Sequence, residues 1–281
     1  LNGKKLPSGW VGKTWALKQG VDLANMKNFD YYLFLDSDIV LKKDIIDKVI
    51  LFLESKNYLM ISLMAKLNCK YPWEKILIPA FIYFFQKLYP FNLVNNKNSK
   101  MSAAAGGFIF CKASAFKNEN LYDFIKDKVI DDCNIAKFLK KRGQIWLGLT
   151  NEIVSKRNYH QLSSIWKMVS RTAFEQLKYS LLLLIFSLIG LYILFVSPVI
   201  TTFYSLLNFE GNSMLLQTFV ISLLSIFLMI FSFIPTLRFY NINVFFAFTF
   251  PFAAVIYMLM TVTSAVNYFF NSGNIWKGRK Y

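Results

Sequence analysis

Asp36 and Asp38 stand one residue apart where the apolar run Tyr31–Leu35 breaks into a loop. Two carboxylates so placed offer hard oxygen ligands, which suit Mg²⁺ or Mn²⁺, and a cation held there could in turn hold a diphosphate. A turn that closes the strand and caps the next helix accounts for the same triplet without any metal. A second acidic pair, Asp131-Asp132, precedes a basic helix that ends Lys140-Lys141-Arg142-Gly143. Helix capping is one use of such acids. The other is a general base that faces a cleft and takes a proton from a hydroxyl while a diphosphate departs.

The remaining inventory narrows the chemistry. His160 is the only histidine, which removes His-based metal sites and Ser-His-Asp triads, so a general base has to be a carboxylate or, less plausibly, a Lys or Tyr. Cys69, Cys111 and Cys133 are widely spaced, without a C-x-x-C pair; they fit a reducing compartment rather than a disulfide framework or zinc. Gly12-Lys13-Thr14 invites a P-loop reading, but the first glycine of that motif would fall on Pro7 and no apolar strand leads into it. A glycine-containing turn opening a helix is the better reading, with the Lys13 ammonium at the helix start able to meet a phosphate.

The elements that must position these groups alternate. The pattern predicts a helix over 13–26, strand 31–35, the D-S-D loop, a helix over 44–55 capped near Asp44, and a strand over 58–64. Strand 107–111 follows Gly106-Gly107; a helix over 131–142 and a short strand over 145–149 complete the set. Strands alternating with helices predict an α/β domain with a mostly parallel sheet and the site at strand carboxyl ends, where Asp36 and Asp38 lie.

The 281 residues are 55% hydrophobic and 18% aromatic, too apolar for an ordinary soluble domain. The excess is concentrated. Residues 1–180 hold 28 of the 32 basic and 15 of the 16 acidic residues, a net charge of +13. Beyond them, Leu181–Val199 and Leu215–Leu237 are uncharged and close to the roughly 20 residues a membrane-crossing helix needs. Val244–Phe270, interrupted by Pro251, is a third such run. The positive-inside tendency places the basic domain in the cytoplasm, the 200–214 loop outside and Arg238 inside; three full crossings would then put Lys277, Arg279 and Lys280 outside. Either the Pro251 segment bends back or the tail breaks the tendency. Ile76–Phe85 is too short to span, and its Lys-edged, aromatic character reads as a helix in the headgroup region near 73–91, or else as a core helix. The basic charge favours an anionic membrane surface as neighbour; no nucleic-acid recognition pattern is present.

The run Leu6-Pro7-x-Gly9-Trp10-x-Gly12-Lys13 through Asp36-Ser37-Asp38, with Ile78-Pro79-Ala80-Phe81, Ala103-Ala104-Ala105-Gly106-Gly107, Asp131-Asp132-Cys133 and Ile145-Trp146-Leu147-Gly148-Leu149-Thr150, resembles the family 2 glycosyltransferases. Within them it is most similar to the hopene-associated enzymes of hopanoid-producing bacteria. Trp276-Lys277-Gly278-Arg279 is similar to the tail of membrane-bound members. The resemblance implies a GT-A-like nucleotide-sugar domain over 1–160, an amphipathic interfacial segment over 161–180 and a transmembrane domain over 181–281. It also implies an inner-membrane location with the catalytic domain cytoplasmic. Mg²⁺ or Mn²⁺ would bridge the D-S-D triplet to the diphosphate of a donor such as a UDP-sugar, Asp36 contacting the ribose or the metal and Asp38 the metal, with Lys13 near the nucleotide. Gly106 and Gly107 would let the backbone approach the sugar. Asp132 would be the base of an inverting hexosyl transfer to a lipid hydroxyl, with Asp131 where Glu is usual.

Two departures stand out. The family's Q-x-x-R-W segment is missing; the corresponding stretch, Trp166–Tyr179, offers Arg171 or Lys178 as the cation and Gln176, or simply a basic amphipathic helix. The family's opening strand, which grips the nucleobase, would precede Leu1, so the chain is expected to be a fragment that binds its donor weakly. Polyprenyl-phosphate or polysaccharide synthesis on the same fold is the nearest alternative activity. A non-enzymatic membrane scaffold or transporter is the alternative of another class, though it would call for ionisable residues inside the spans.

Overall fold

A computed structural model describes residues 2–116, 121–126, 128, 130–270, 275–276 and 279–280. The chain divides into two units, Leu1–Asn68 with Phe85–Asn158, and Cys69–Phe84 with Tyr159–Tyr281.

The first unit is α/β. Its strands are β1 (Tyr31–Leu35), β2 (Ile39–Leu41), β3 (Met60–Lys66), β4 (Phe108–Lys112) and β5 (Ile145–Ser155), in the sheet order β1-β4-β3-β5-β2. Successive side chains on a strand point to opposite faces, and both faces here are apolar. Tyr32, Met60, Ile109, Cys111, Ile145 and Leu147 enter one core, with Val21 and Leu17 of α1 (Gly12–Asn25) and residues of α5 (Leu121–Ile125) and α6 (Asp131–Lys140). Ile61, Leu63, Phe108, Phe110 and Ile153 enter the other, against Ile45, Val49 and Leu53, spaced four apart on α2 (Ile45–Ser55). A sheet buried on both faces is why these strands read as nearly continuous apolar runs.

The expected mostly parallel sheet is corrected. Only β3 and β5 run parallel; β4 is antiparallel to both β1 and β3, and β2 is antiparallel to β5. Alternation of strands and helices tells that the chain crosses over, not from which end of the sheet it re-enters. Between β3 and β4 the chain passes through α3 (Pro72–Leu88) and α4 (Phe91–Asn95), and it returns from the opposite end. Two smaller corrections concern α2 and β5. Asp44 has a left-handed backbone (φ 64°) and its side chain caps nothing; its carbonyl accepts from Lys48 N at 3.2 Å instead. The strand expected over 145–149 runs on to Ser155, because its far half pairs with β2.

The second unit is helical. Ile76–Phe85 is the middle of the 17-residue α3, whose residues Leu77, Ile78, Ala80, Ile82 and Tyr83 are buried. After α7 (Leu162–Ser170) and α8 (Ala173–Gln176) come three helices long and apolar enough to cross a membrane, Leu181–Leu207, Ser213–Phe239 and Val244–Phe269. The first is α9 (Leu181–Leu191), a π-helical stretch Tyr192–Val196, and α10 (Ser197–Leu207). Pro198 lacks an N–H and crowds the carbonyl four residues back, and the widened turn before it absorbs both. The loop read as 200–214 shrinks to 208–212, since α10 reaches Leu207 and α11 (Ser213–Phe239) begins at once. Pro251 does not interrupt the third span. It sits in the first turn of α12 (Phe250–Phe269), after a 3-10 stretch Val244–Thr249, where a missing N–H costs nothing. Tyr257 donates its hydroxyl to Leu77 O at 2.9 Å, Tyr83 and Ser232 share a hydrogen bond at 2.9 Å, and Phe233 stacks on Phe250 at 4.1 Å, so α3 is knitted to α11 and α12. Ile275–Trp276 and Arg279–Lys280 pair as β6 and β7. The tail resemblance falls here, and its Lys277 and Gly278 lie outside the described residues.

Candidate active site

Lys13 is the point on which the first unit's acids converge. It lies in the first turn of α1, whose opening is fixed by Thr14: the buried hydroxyl donates to Val11 O at 2.8 Å and Lys126 O at 3.1 Å, while Val11 N donates to Lys126 O at 2.7 Å. A cation at a helix N-terminus opposes the helix dipole, and that first turn contains no acid of its own to offset it. The offset comes from elsewhere in the chain. Lys13 Nζ lies 3.3 Å from Asp36 Oδ1 and 3.1 Å from Asp131 Oδ2, and donates to Asp131 Oδ1 at 3.2 Å. Burial alone would pull the Lys13 ammonium down, but Asp131, Asp36 and Asp132 together hold it above the ordinary lysine range. It is therefore a fixed positive charge.

Three elements deliver these groups. Asp36 follows the last residue of β1 and opens a turn in which Ile39 N donates to Asp36 O at 3.1 Å. Asp131 and Asp132 begin α6, while Gly106 lies just before β4. Gly106 N donates to Asp132 Oδ2 at 2.8 Å and Cys133 N donates to Asp132 Oδ1 at 2.7 Å, so both oxygens are oriented by backbone. Burial, and then the Asp131 charge, push the Asp132 carboxyl up to about 6, against the opposing pull of Lys13 and the two backbone N–H groups. A carboxylate poised there is ionised at neutral pH and basic enough to accept a proton.

The two glycines do different work. A Cβ on Gly106 would lie 3.2 Å from Asp132 Oδ2 and 3.5 Å from Lys13 Nζ, so hydrogen is the side chain that leaves this contact unstrained. A Cβ on Gly107 would meet Ala65 Cβ at 3.2 Å and Ile39 Cδ1 at 3.3 Å, which is sheet packing. The Ser62 hydroxyl holds the approach to Gly106, accepting from Ala105 N at 2.8 Å and donating to Ala105 O at 3.2 Å.

Asp38 turns to a different partner, accepting a short hydrogen bond from the Ser155 hydroxyl, while its carbonyl accepts from Lys156 N at 2.8 Å. The D-S-D loop is thereby tied to the end of β5. Among the described residues no group of three or more His, Cys, Asp or Glu side chains is gathered as a metal-ligand set. Asp36 and Asp38 alone match what Mg²⁺ asks of a protein, which is one or two carboxylates with the rest of its shell left to water and phosphate oxygens. The donor set fits such an ion.

Of the residues singled out from sequence, Lys13, Asp36, Gly106, Asp131 and Asp132 come together, with Asp38 on the same loop. Arg171, next after α7, and Gln176, the last residue of α8, belong to the second unit. Ser155 and Ser62 carry no sequence signal, being isolated hydroxyls whose partners lie far off in sequence, and Thr14 stands out only in the Gly12-Lys13-Thr14 triplet, which does not foretell its bond to Lys126 O. The chain matches no protein-family model and no curated protein.

Proposed function

We propose that the first unit is a GT-A-like nucleotide-sugar domain of the family 2 glycosyltransferase type, anchored by the helical unit, and that it transfers a sugar from a nucleotide-sugar to a lipid hydroxyl, with a hopanoid-type lipid the best match. The observation that carries this reading is the meeting of Asp36 with Asp131 and Asp132 around Lys13, from three distant parts of the chain. The three apolar helices support the lipid acceptor and the membrane location.

In this reading the acceptor oxygen attacks the anomeric carbon as its bond to the diphosphate breaks, and the diphosphate leaves with the electron pair. Asp132, oriented by Gly106 N and Cys133 N, receives the hydroxyl proton. Configuration inverts, because one displacement occurs. Asp36 and Asp38 would hold Mg²⁺ or Mn²⁺, whose charge would stabilise the departing diphosphate. Lys13 supplies a second positive charge beside it, and Asp131 keeps that lysine in place and raises the basicity of Asp132.

The test is direct. The full chain, reconstituted in bilayers containing hopanoid alcohols, is incubated with Mn²⁺ and labelled UDP-sugars. Label should enter the organic-extractable lipid, and EDTA should abolish its transfer. Transfer that persists in EDTA would overturn the metal-dependent reading, and bound donor without any lipid product would overturn the acceptor class.

A further inference from the structure

The arrangement around Lys13 has a consequence for the order in which ligands can enter. Asp36 is a residue that the proposed reading assigns to the metal, yet one of its oxygens is already 3.3 Å from an ammonium. That ammonium has a second anchor, Asp131, whose side chain is 10% exposed, against 43% for Asp36. Lys13 thus reaches outward from a buried acid to an exposed one, and its four-carbon stem can release the outer partner while keeping the inner. Glu152 shows the reverse arrangement, one acid with Lys42 and Lys48.

Resting on the function proposed above, we propose that Lys13 is a tethered counter-cation that competes with the divalent metal for Asp36, so that metal binds well only when a nucleoside diphosphate arrives with it and draws the lysine off. Two cations cannot share one carboxylate oxygen at contact distance without repulsion. A diphosphate supplies the negative charge that lets the ammonium and the metal coexist, with Lys13 swinging from Asp36 to a phosphate oxygen and Asp131 retaining it. The device keeps free metal from occupying an empty site and makes donor and metal bind as one unit.

Mn²⁺ binding to the full chain in lipid, read by electron paramagnetic resonance with and without UDP, tests this in wild type, K13M, K13R and D36N. Because Lys13 and Asp36 are partly exposed, the effect is moderate: K13M should bind Mn²⁺ alone about tenfold more tightly than wild type. UDP should tighten Mn²⁺ binding in wild type and K13R and much less in K13M. Unchanged Mn²⁺ affinity in K13M, with D36N still abolishing binding, would overturn the competition and leave the proposed function intact. Unchanged affinity in D36N would overturn both, since the metal would then lie elsewhere. Thermal melts of each variant separate these outcomes from misfolding, and retention of wild-type behaviour by K13R shows that charge, not packing, is responsible.

Discussion

Among the described residues of the α/β unit the buried serine, threonine and charged side chains are Thr14, Ser62, Asp131 and Ser155, and each bears on the candidate site. Thr14 fixes the turn that presents Lys13, Ser62 holds the approach to Gly106, Asp131 pairs with Lys13, and Ser155 binds Asp38. In the helical unit the buried polar side chains do something else. Ser264 accepts from Phe174 N, Ser222 and Thr202 bond across α11 and α10, and Glu74 accepts from Lys70 N, Tyr71 N and Tyr159 N. There the polar groups glue the chain together, while Leu182, Phe186, Leu207, Phe231 and Phe245 face outward. One unit gathers its buried polar side chains around the candidate site; the other, apolar on its outer face, uses them to join one stretch of helix to another.

This contrast predicts that polar substitutions in the two units separate activity from stability. Short of removing the Asp132 carboxylate itself, the largest separation is expected for Gly106→Ala. The new methyl presses on Asp132 Oδ2 at 3.2 Å and only touches Lys13 Nζ at 3.5 Å, and misplacing the proposed base by a fraction of an ångström should lower kcat for sugar transfer about tenfold to a hundredfold, with a thermal shift of only a few degrees. A kcat close to wild type would detach Asp132 from the reaction.

The pH dependence is next. Asp132 must be ionised to act, and its carboxyl is raised to about 6, so transfer should fall about tenfold per pH unit below that value. Stability moves the other way. The unfolded chain ionises Asp132 near its ordinary value of 3.8 while the folded chain keeps the proton until about 6, so the unfolded state binds fewer protons in that window and stability falls as pH rises through it. Replacing Asp132 by Asn should remove this pH dependence: whatever constant penalty comes from the one backbone N–H that the amide nitrogen cannot accept, the variant should gain on wild type by about 1–3 kcal/mol between pH 4 and pH 7.5. A stability difference that stays constant over that range would show that the carboxyl does not titrate there.

Smaller effects distinguish the supports. Ser155→Ala removes the donor to Asp38 and should weaken Mn²⁺–UDP binding about threefold to tenfold, as loss of a hydrogen bond to a charged group does, with kcat at saturation nearly unchanged. Ser264→Ala should do the opposite: it strips the acceptor from the buried Phe174 N and should cost about 1–3 kcal/mol of stability, while transfer per folded molecule stays at the wild-type level.

Much of this was legible before any coordinates, and what was not has a common cause. β1, α1, the D-S-D triplet and the apolar spans announce themselves through local pattern: a run of five apolar residues, a helix opening at Gly12, uncharged stretches of helical length. β2 is only Ile39–Leu41, too short for any periodicity to show, yet its pairing with β5 brings Ser155 beside Asp38. The direction of β4 and the bridging by Lys13 depend on where the chain returns after long excursions, and no local pattern encodes that. Lys13 was noticed for its place at a helix start; its partners were not, because a helix N-terminus suggests an anion and not which of the sixteen acids supplies it.

Asp132 is the proposed base at the point where the acids meet. Sugar transfer by Asp132→Asn in the full chain, with donor binding measured in parallel, should drop by about 10²–10⁴-fold while donor affinity stays within a few-fold of wild type. Turnover near the wild-type rate would contradict it outright, and loss of donor binding together with turnover would reassign Asp132 to holding the site rather than moving the proton.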